Sequence, residues 1–169
     1  NKLEAFKQDM LQQPGVTSAT ISSYLPIPSS RTDNIFSGEQ VIDAKNGFSM
    51  QEWDVDYDYL KTLGIELIKG RNFSRNFGTD SNAVILNEAT ARALGYADPV
   101  GQHIYKSGIG PGSAVSYTII GIVKNFHFES LKRDIGMVGL FLGKSTGFAS
   151  FKMNAANAPA IIQYAEKKW

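Results

Sequence analysis

Cysteine is absent from all 169 residues. That excludes disulfides, thiolate nucleophiles and sulfur-ligated zinc together. The absence is compatible with an oxidising compartment without requiring one. An excess of one charge is missing too: Lys and Arg total 17, Asp and Glu total 16, and the net charge is +1. The electrostatic footprint of nucleic-acid binding is therefore lacking. The densest basic cluster, Lys167-Lys168, reads as a solvated helix end. No apolar run approaches the ~18 residues that span a bilayer. The longest are Tyr117 to Val123 and Met137 to Leu142. What remains is ordinary for a folded chain, 43% hydrophobic and 20% charged, and the length suits one domain or two small lobes sharing a core. The start, Asn1-Lys2-Leu3-Glu4, holds neither an initiator Met nor a signal-peptide core. The end, Glu166 to Trp169, stops on a helical pattern. Both read as the ends of a segment cut from a longer chain.

Local patterns then predict the elements. Leu3, Phe6, Met10 and Leu11 share a helical face, and Pro14-Gly15 stops that helix. Residues 16–25 read as a strand, closed by the loop that holds Pro26 and Pro28. From Phe48 to Val55, Phe48, Met50, Glu52 and Asp54 alternate with Ser49, Gln51, Trp53 and Val55, which predicts a strand. Asp56 is expected to cap a short helix ended by Gly64, followed by a strand over 65–68 and a turn at Gly70-Arg71-Asn72-Phe73. Ala83 to Leu86 reads as a buried strand, and Asn87 as the cap of a helix ended by Gly95. Paired strands are predicted at 102–106 and 116–123, two more at 137–142 and 148–153, and a last helix opening at Asn157 and Pro159.

Tests for chemistry return no complete constellation. Gly108, Gly110 and Gly112 invite comparison with a phosphate cradle, but Pro111 interrupts them and a strand follows where a helix N-terminus is needed. His103 and His127 have no second His at ligand spacing; His127 with Glu129 is a pair, short of the three ligands of a catalytic zinc. Asp54, Asp56 and Asp58 imitate the start of a calcium loop, but Tyr59 stands where Gly is required and Ile65 where the closing Glu belongs. No G-x-S-x-G nucleophile elbow occurs. The expectation is a non-enzyme without metal or cofactor.

Three segments taken in order carry a family resemblance. They are Val55 to Phe73, with Asp56-Tyr57 and Gly70-Arg71; Asp80 to Gly101, with Asn87-Glu88-Ala89 and Asp98-Pro99; and Ile119 to Leu131, with Gly121 and Lys124-Asn125. Together they resemble the MacB-like periplasmic core domain of FtsX/MacB-type ABC transporter permeases.

The resemblance implies an α+β fold of two lobes: a ferredoxin-like lobe built from both chain ends, residues 1–75 and 136–169, and a smaller mixed α/β lobe inserted over 76–135. It implies an inner membrane protein with this segment facing the periplasm, working with the rest of the permease, its cytoplasmic ATPase and an envelope partner protein. The implied work is to couple ATP-driven motion to export or to partner engagement. The isolated domain is expected to be a monomer that binds no nucleic acid. The alternative reading is a periplasmic ligand-binding or sensor domain with an aromatic-lined pocket, for which Trp53, Tyr57, Phe126 and Phe128 are the candidate contacts. The bland account of the same four side chains is core packing.

Overall fold

The computed structural model describes residues 2–108, 113–128, 135–145 and 147–169. It is a mixed α/β fold. The strands are β1 (Val16–Ser22), β2 (Asp33–Ser37), β3 (Phe48–Val55), β4 (Leu67–Gly70), β5 (Ala83–Asn87), β6 (His103–Ser107), β7 (Ala114–Val123), β8 (Val138–Leu142) and β9 (Phe148–Met153). The helices are α1 (Lys2–Leu11), α2 (Tyr59–Leu63), α3 (Glu88–Leu94) and α4 (Ala158–Lys168). Residues 109–112 of the glycine-rich loop, and Glu129, on which the His127 pairing depends, lie outside the described residues.

The strands join one sheet in the order β2-β6-β7-β5-β8-β3-β1-β9, with β4 branching from β7. β2 also pairs with β3, Asp33 opposite Gln51 and Phe36 opposite Phe48. That pairing closes β2, β6, β7, β5, β8 and β3 into a ring among the described residues. Closing a sheet removes its exposed edges and creates an inside. The inside is filled by Phe36, Met50, Val84, Leu86, Ile104, Ile119, Ile122 and Phe141, so every strand of the ring contributes. The outer face is covered by a second cluster in which Trp53, Val55, Ile85, Leu140 and Val123 meet Tyr59 and Leu60 of α2, with Phe73 and Phe128 from loops. Both faces of β3 and β5 are thus buried, which is why β5 reads as an unbroken apolar run.

Outside the ring, β1 pairs with β9 along its length and meets β3 at Ser22 opposite Val55. α1 packs on β1 and also meets α4. Phe6 of α1 meets Phe151 of β9 and Trp169 after α4 edge-on, with ring centroids 5.8 and 5.3 Å apart.

Several local expectations hold. Asn87 caps α3 by accepting the Thr90 N–H, and Gly95 ends that helix at φ 70°. Gly64 ends α2 at φ 69°. Others shift. The strand expected at 65–68 lies at Leu67–Gly70, because Ile65 N–H turns back to bond the Leu60 carbonyl. The residue before α2 is Asp58, without a side-chain cap bond, so Asp56 is not the helix cap. Its carboxylate accepts the Asp58 N–H but also binds partners in α1 and β1. β2 was not anticipated.

Candidate functional site

The four aromatic candidates separate into two environments. Trp53 and Phe128 are fully buried, with ring centroids 5.2 Å apart, and Phe126 adds an edge contact to Trp53 at 5.8 Å. Arg31 lies over this cluster, 4.9 Å from the Trp53 ring and 5.1 Å from Phe128, and its guanidinium donates to the carbonyls of Leu25, Ile27 and Phe128. Cation–π contact and backbone hydrogen bonds thereby fasten the proline loop over the aromatics. Tyr57 is half-buried beneath the Arg75 guanidinium at 4.4 Å. Of the four, only Tyr57 lines the cavity described next.

That cavity, about 560 Å³, is lined by Glu4, Lys7, Ile21, Asp56, Tyr57, Arg75, Ser81 and the stretch Leu142 to Ser145. It lies beyond the C-terminal ends of the parallel pair β3 and β8. At its base Lys7 is buried, its Nζ 2.7 Å from Asp56 and 3.0 Å from Asp58. Asp56 also accepts from the Thr20 hydroxyl and, at 2.8 Å, from the Ile21 N–H. Burial pushes the Lys7 ammonium down, but hydrogen bonds and charge from the two carboxylates outweigh it and hold it above the ordinary lysine value. The sequence signal for this network was a charge on an apolar stripe: Lys7 falls four residues after Leu3 and three before Met10.

One end of the closed ring carries a second polar group. Glu52, Asn34 and Lys106 face the same side of their strands as Met50, Phe36 and Ile104. Asn34 donates to Glu52 at 2.8 Å, and Lys106 bonds the same oxygen. The Asp54 carboxylate, half-buried beside Gly143, makes no hydrogen bond or ion pair among the described residues. Burial and the Glu52 charge raise its pKa, with Lys106 opposing. A carboxyl raised on folding binds its proton more tightly in the native state, so the ionised form costs stability at neutral pH. Asp54→Asn is expected to raise Tm at pH 7, and the gain should disappear on acidification below about pH 4, the unfolded Asp range. A thermal melt series from pH 3 to 8 checks this; a variant destabilised at pH 7 would overturn it.

The three motif segments interlock through polar hubs. Arg71 grips the buried Asp80 with two bonds of 2.9 and 2.6 Å, and the Ser74 N–H adds a third at 2.8 Å. Burial pushes the Asp80 carboxyl up, but these donors and the Arg71 charge prevail and hold it below the ordinary range. Asn87, also buried, accepts from Thr90 and Val138 and donates to the Gly136 carbonyl at 2.8 Å. Glu88 accepts the Asn125 N–H at 2.8 Å while Asn125 accepts the Ala89 N–H. The motif residues of widest separation therefore serve architecture. His103 stacks beside Tyr105, and His127 is exposed. Among the described residues no three His, Asp or Glu side chains are grouped to hold a metal ion, and no helix is long and apolar enough to cross a membrane.

Comparison with known proteins agrees with this architecture. The profile described as MacB-like periplasmic core domain matches residues 3–151. A search among curated proteins finds no match. The crystal structure of the periplasmic region of MacB from Actinobacillus actinomycetemcomitans is similar with TM-score 0.65 at 15% identity, over 97% of this chain and 72% of that one. The extracellular domain of the noncanonic ABC-type transporter YknZ from Gram-positive bacteria gives 0.62 at 14%, over 94% and 76%. A domain of a putative permease from Porphyromonas gingivalis gives 0.59 at 16%, over 95% and 69%. At these identities the structures speak for the fold, and the profile match, which spans most of the chain, speaks for the family. The chain belongs to the MacB-like periplasmic core domain family, the periplasmic domains of MacB/FtsX-type ABC transporter permeases.

Proposed function

We propose that this domain couples ATP-driven motion of an ABC permease to export or to engagement of an envelope partner protein, in a protein anchored in the inner membrane and driven by a cytoplasmic ATPase. The observation that carries the reading is the meeting of the first and last helices. Phe6 packs edge-on against Trp169, and the Lys2 ammonium lies 5.3 Å from the same indole. Movement of segments leading into α1 and out of α4 reaches the domain at one place. The closed ring behind them is well suited to move as a body, because its strands are paired on both sides and its interior is packed. We also infer the two-part division, with residues 1–75 and 136–169 as one lobe and 76–135 as the other, the two sharing a sheet. What supports the first lobe is the pairing of β1 with β9 and of β3 with β8. Excised, the domain acts as a monomer in this reading.

A single cysteine introduced at the exposed Lys45, in a transporter whose cysteines outside this domain are replaced, can carry a spin label. In the full permease with its ATPase, distances between the labelled domains of the assembled transporter should differ between nucleotide-free and ATP-trapped states. Phe6→Ala with Trp169→Ala should abolish that difference while ATP hydrolysis continues. An unchanged response in the double variant would sink the proposed route of coupling.

A further inference from the structure

We infer that the cavity between α1 and the ends of β3 and β8 is a binding site for a small amphiphilic anion, an apolar body carrying one carboxylate, sulfonate or phosphate group. Its volume, about 560 Å³, lies within the range of small-molecule sites. Its charges do not cancel at the rim. At the base Lys7 stands against two carboxylates, Asp56 and Asp58, so the base is net negative. Arg75 and Lys144 are both exposed cations, and neither has a carboxylate partner among the described residues. At the rim the opposing charge is Glu4, itself engaged by Gln8 at 3.0 Å, so the rim is net positive above the negative base. The Arg75 guanidinium lies over the Tyr57 ring, 4.4 Å from its centroid, and both residues line the cavity.

Apolar residues also line the cavity: Ile21, Leu142 and Tyr57, beside Ser81 and Ser145. Gly143 narrows nothing there, and a side chain at that position would collide with Asp54, since a Cβ would stand 2.6 Å from its carboxylate oxygen. An apolar body against the apolar residues with its anionic head between Arg75 and Lys144 satisfies both halves of the lining. A simple inorganic anion would leave the apolar residues unused, and an uncharged hydrocarbon would leave the two cations unanswered. This inference is independent of the coupling role proposed above, because it is tested on the domain without the transporter.

The probe is anilinonaphthalene sulfonate, a fluorescent amphiphilic anion, titrated into the folded domain. Saturable binding at one site is expected, with chemical shifts of the Tyr57 and Leu142 to Ser145 amides moving together. Arg75→Gln with Lys144→Gln, both exposed positions, should weaken binding roughly tenfold, the scale of losing charge-assisted contacts. The uncharged N-phenylnaphthylamine should bind wild type and double variant equally weakly. Laurate should displace the probe, and acetate at the same concentration should not. Binding that fails to saturate, that ignores the double variant, or that acetate reverses as well as laurate would overturn the assignment.

Discussion

Replacing Asp56 by alanine is expected to destabilise the domain by about 3–5 kcal/mol, the cost of stranding a buried charge. Asp56 is the point where β3 leaves the ring and passes α1 and β1. Its carboxylate holds Lys7, the Thr20 hydroxyl and the Ile21 and Asp58 amides. Thr20 is wholly buried and Lys7 nearly so, and both lose an acceptor that no other side chain fully replaces. Asp58 retains a bond to Lys7 but is itself more exposed, and its attraction is screened accordingly. Lys7→Met should cost distinctly less. It removes the buried charge, keeps much of the volume, and leaves Asp56 with its other donors. Urea unfolding of both variants checks the asymmetry; equal losses would mean the network contributes through packing alone.

The Lys7 network also fixes a pH signature. Its ammonium is held above the ordinary value, so its contribution is complete below the unfolded lysine pKa of about 10.4 and is lost as pH rises through the higher folded value. Lys7→Met should therefore lose the alkaline limb expected of the wild type while changing little between pH 6 and 9.

How much of this was legible in the sequence follows from the range of the interactions involved. Helix caps and terminators act within four residues, and so Asn87, Gly95 and Gly64 were readable as such. The alternation along β3 correctly separated Met50 and Glu52 from Trp53 and Val55, and the structure puts the first pair toward the ring interior and the second toward α2. The closure of the ring was not readable. It depends on β2, a five-residue strand with the sequence Asp-Asn-Ile-Phe-Ser, whose composition resembles a turn. β2 is a strand because β3 and β6 both bond it and because Phe36 fills the ring, which are facts about residues distant in the chain. The candidate aromatics were legible as important but ambiguous in role. Trp53 has the same composition signal whether it lines a pocket or packs beneath Arg31. Of the cavity, Tyr57 and Asp56 stood out in the sequence, whereas Lys7, Arg75 and Lys144 come from segments whose meeting no local pattern announces.

Gly70→Ala is the second large effect, expected to cost about 2–5 kcal/mol from a strained backbone and a collision with a neighbouring strand. Gly70 ends β4 at φ 75° and stands opposite Gly121 of β7. A Cβ there would lie 2.2 Å from the Ile120 carbonyl oxygen and 2.9 Å from the Gly121 Cα. Both are backbone atoms within paired strands, and neither can withdraw without breaking the pairing. The next residue donates its N–H to that same Ile120 carbonyl at 2.9 Å, and it is Arg71, the partner of buried Asp80. Displacing the strand therefore also withdraws the guanidinium from the carboxylate. Gly64→Ala supplies the control: its φ of 69° is equally left-handed, but nothing lies within 4 Å of the added carbon. That variant should lose only about 1 kcal/mol, the backbone part alone. Similar losses at the two glycines would refute the collision argument. Acid titration separates the contributions further. Asp80 is held below the ordinary range, so its pairing stabilises above about pH 4 and is lost as pH falls through its depressed native value. The stability gap between wild type and Gly70→Ala should consequently narrow on acidification, while the gap for Gly64→Ala should stay constant.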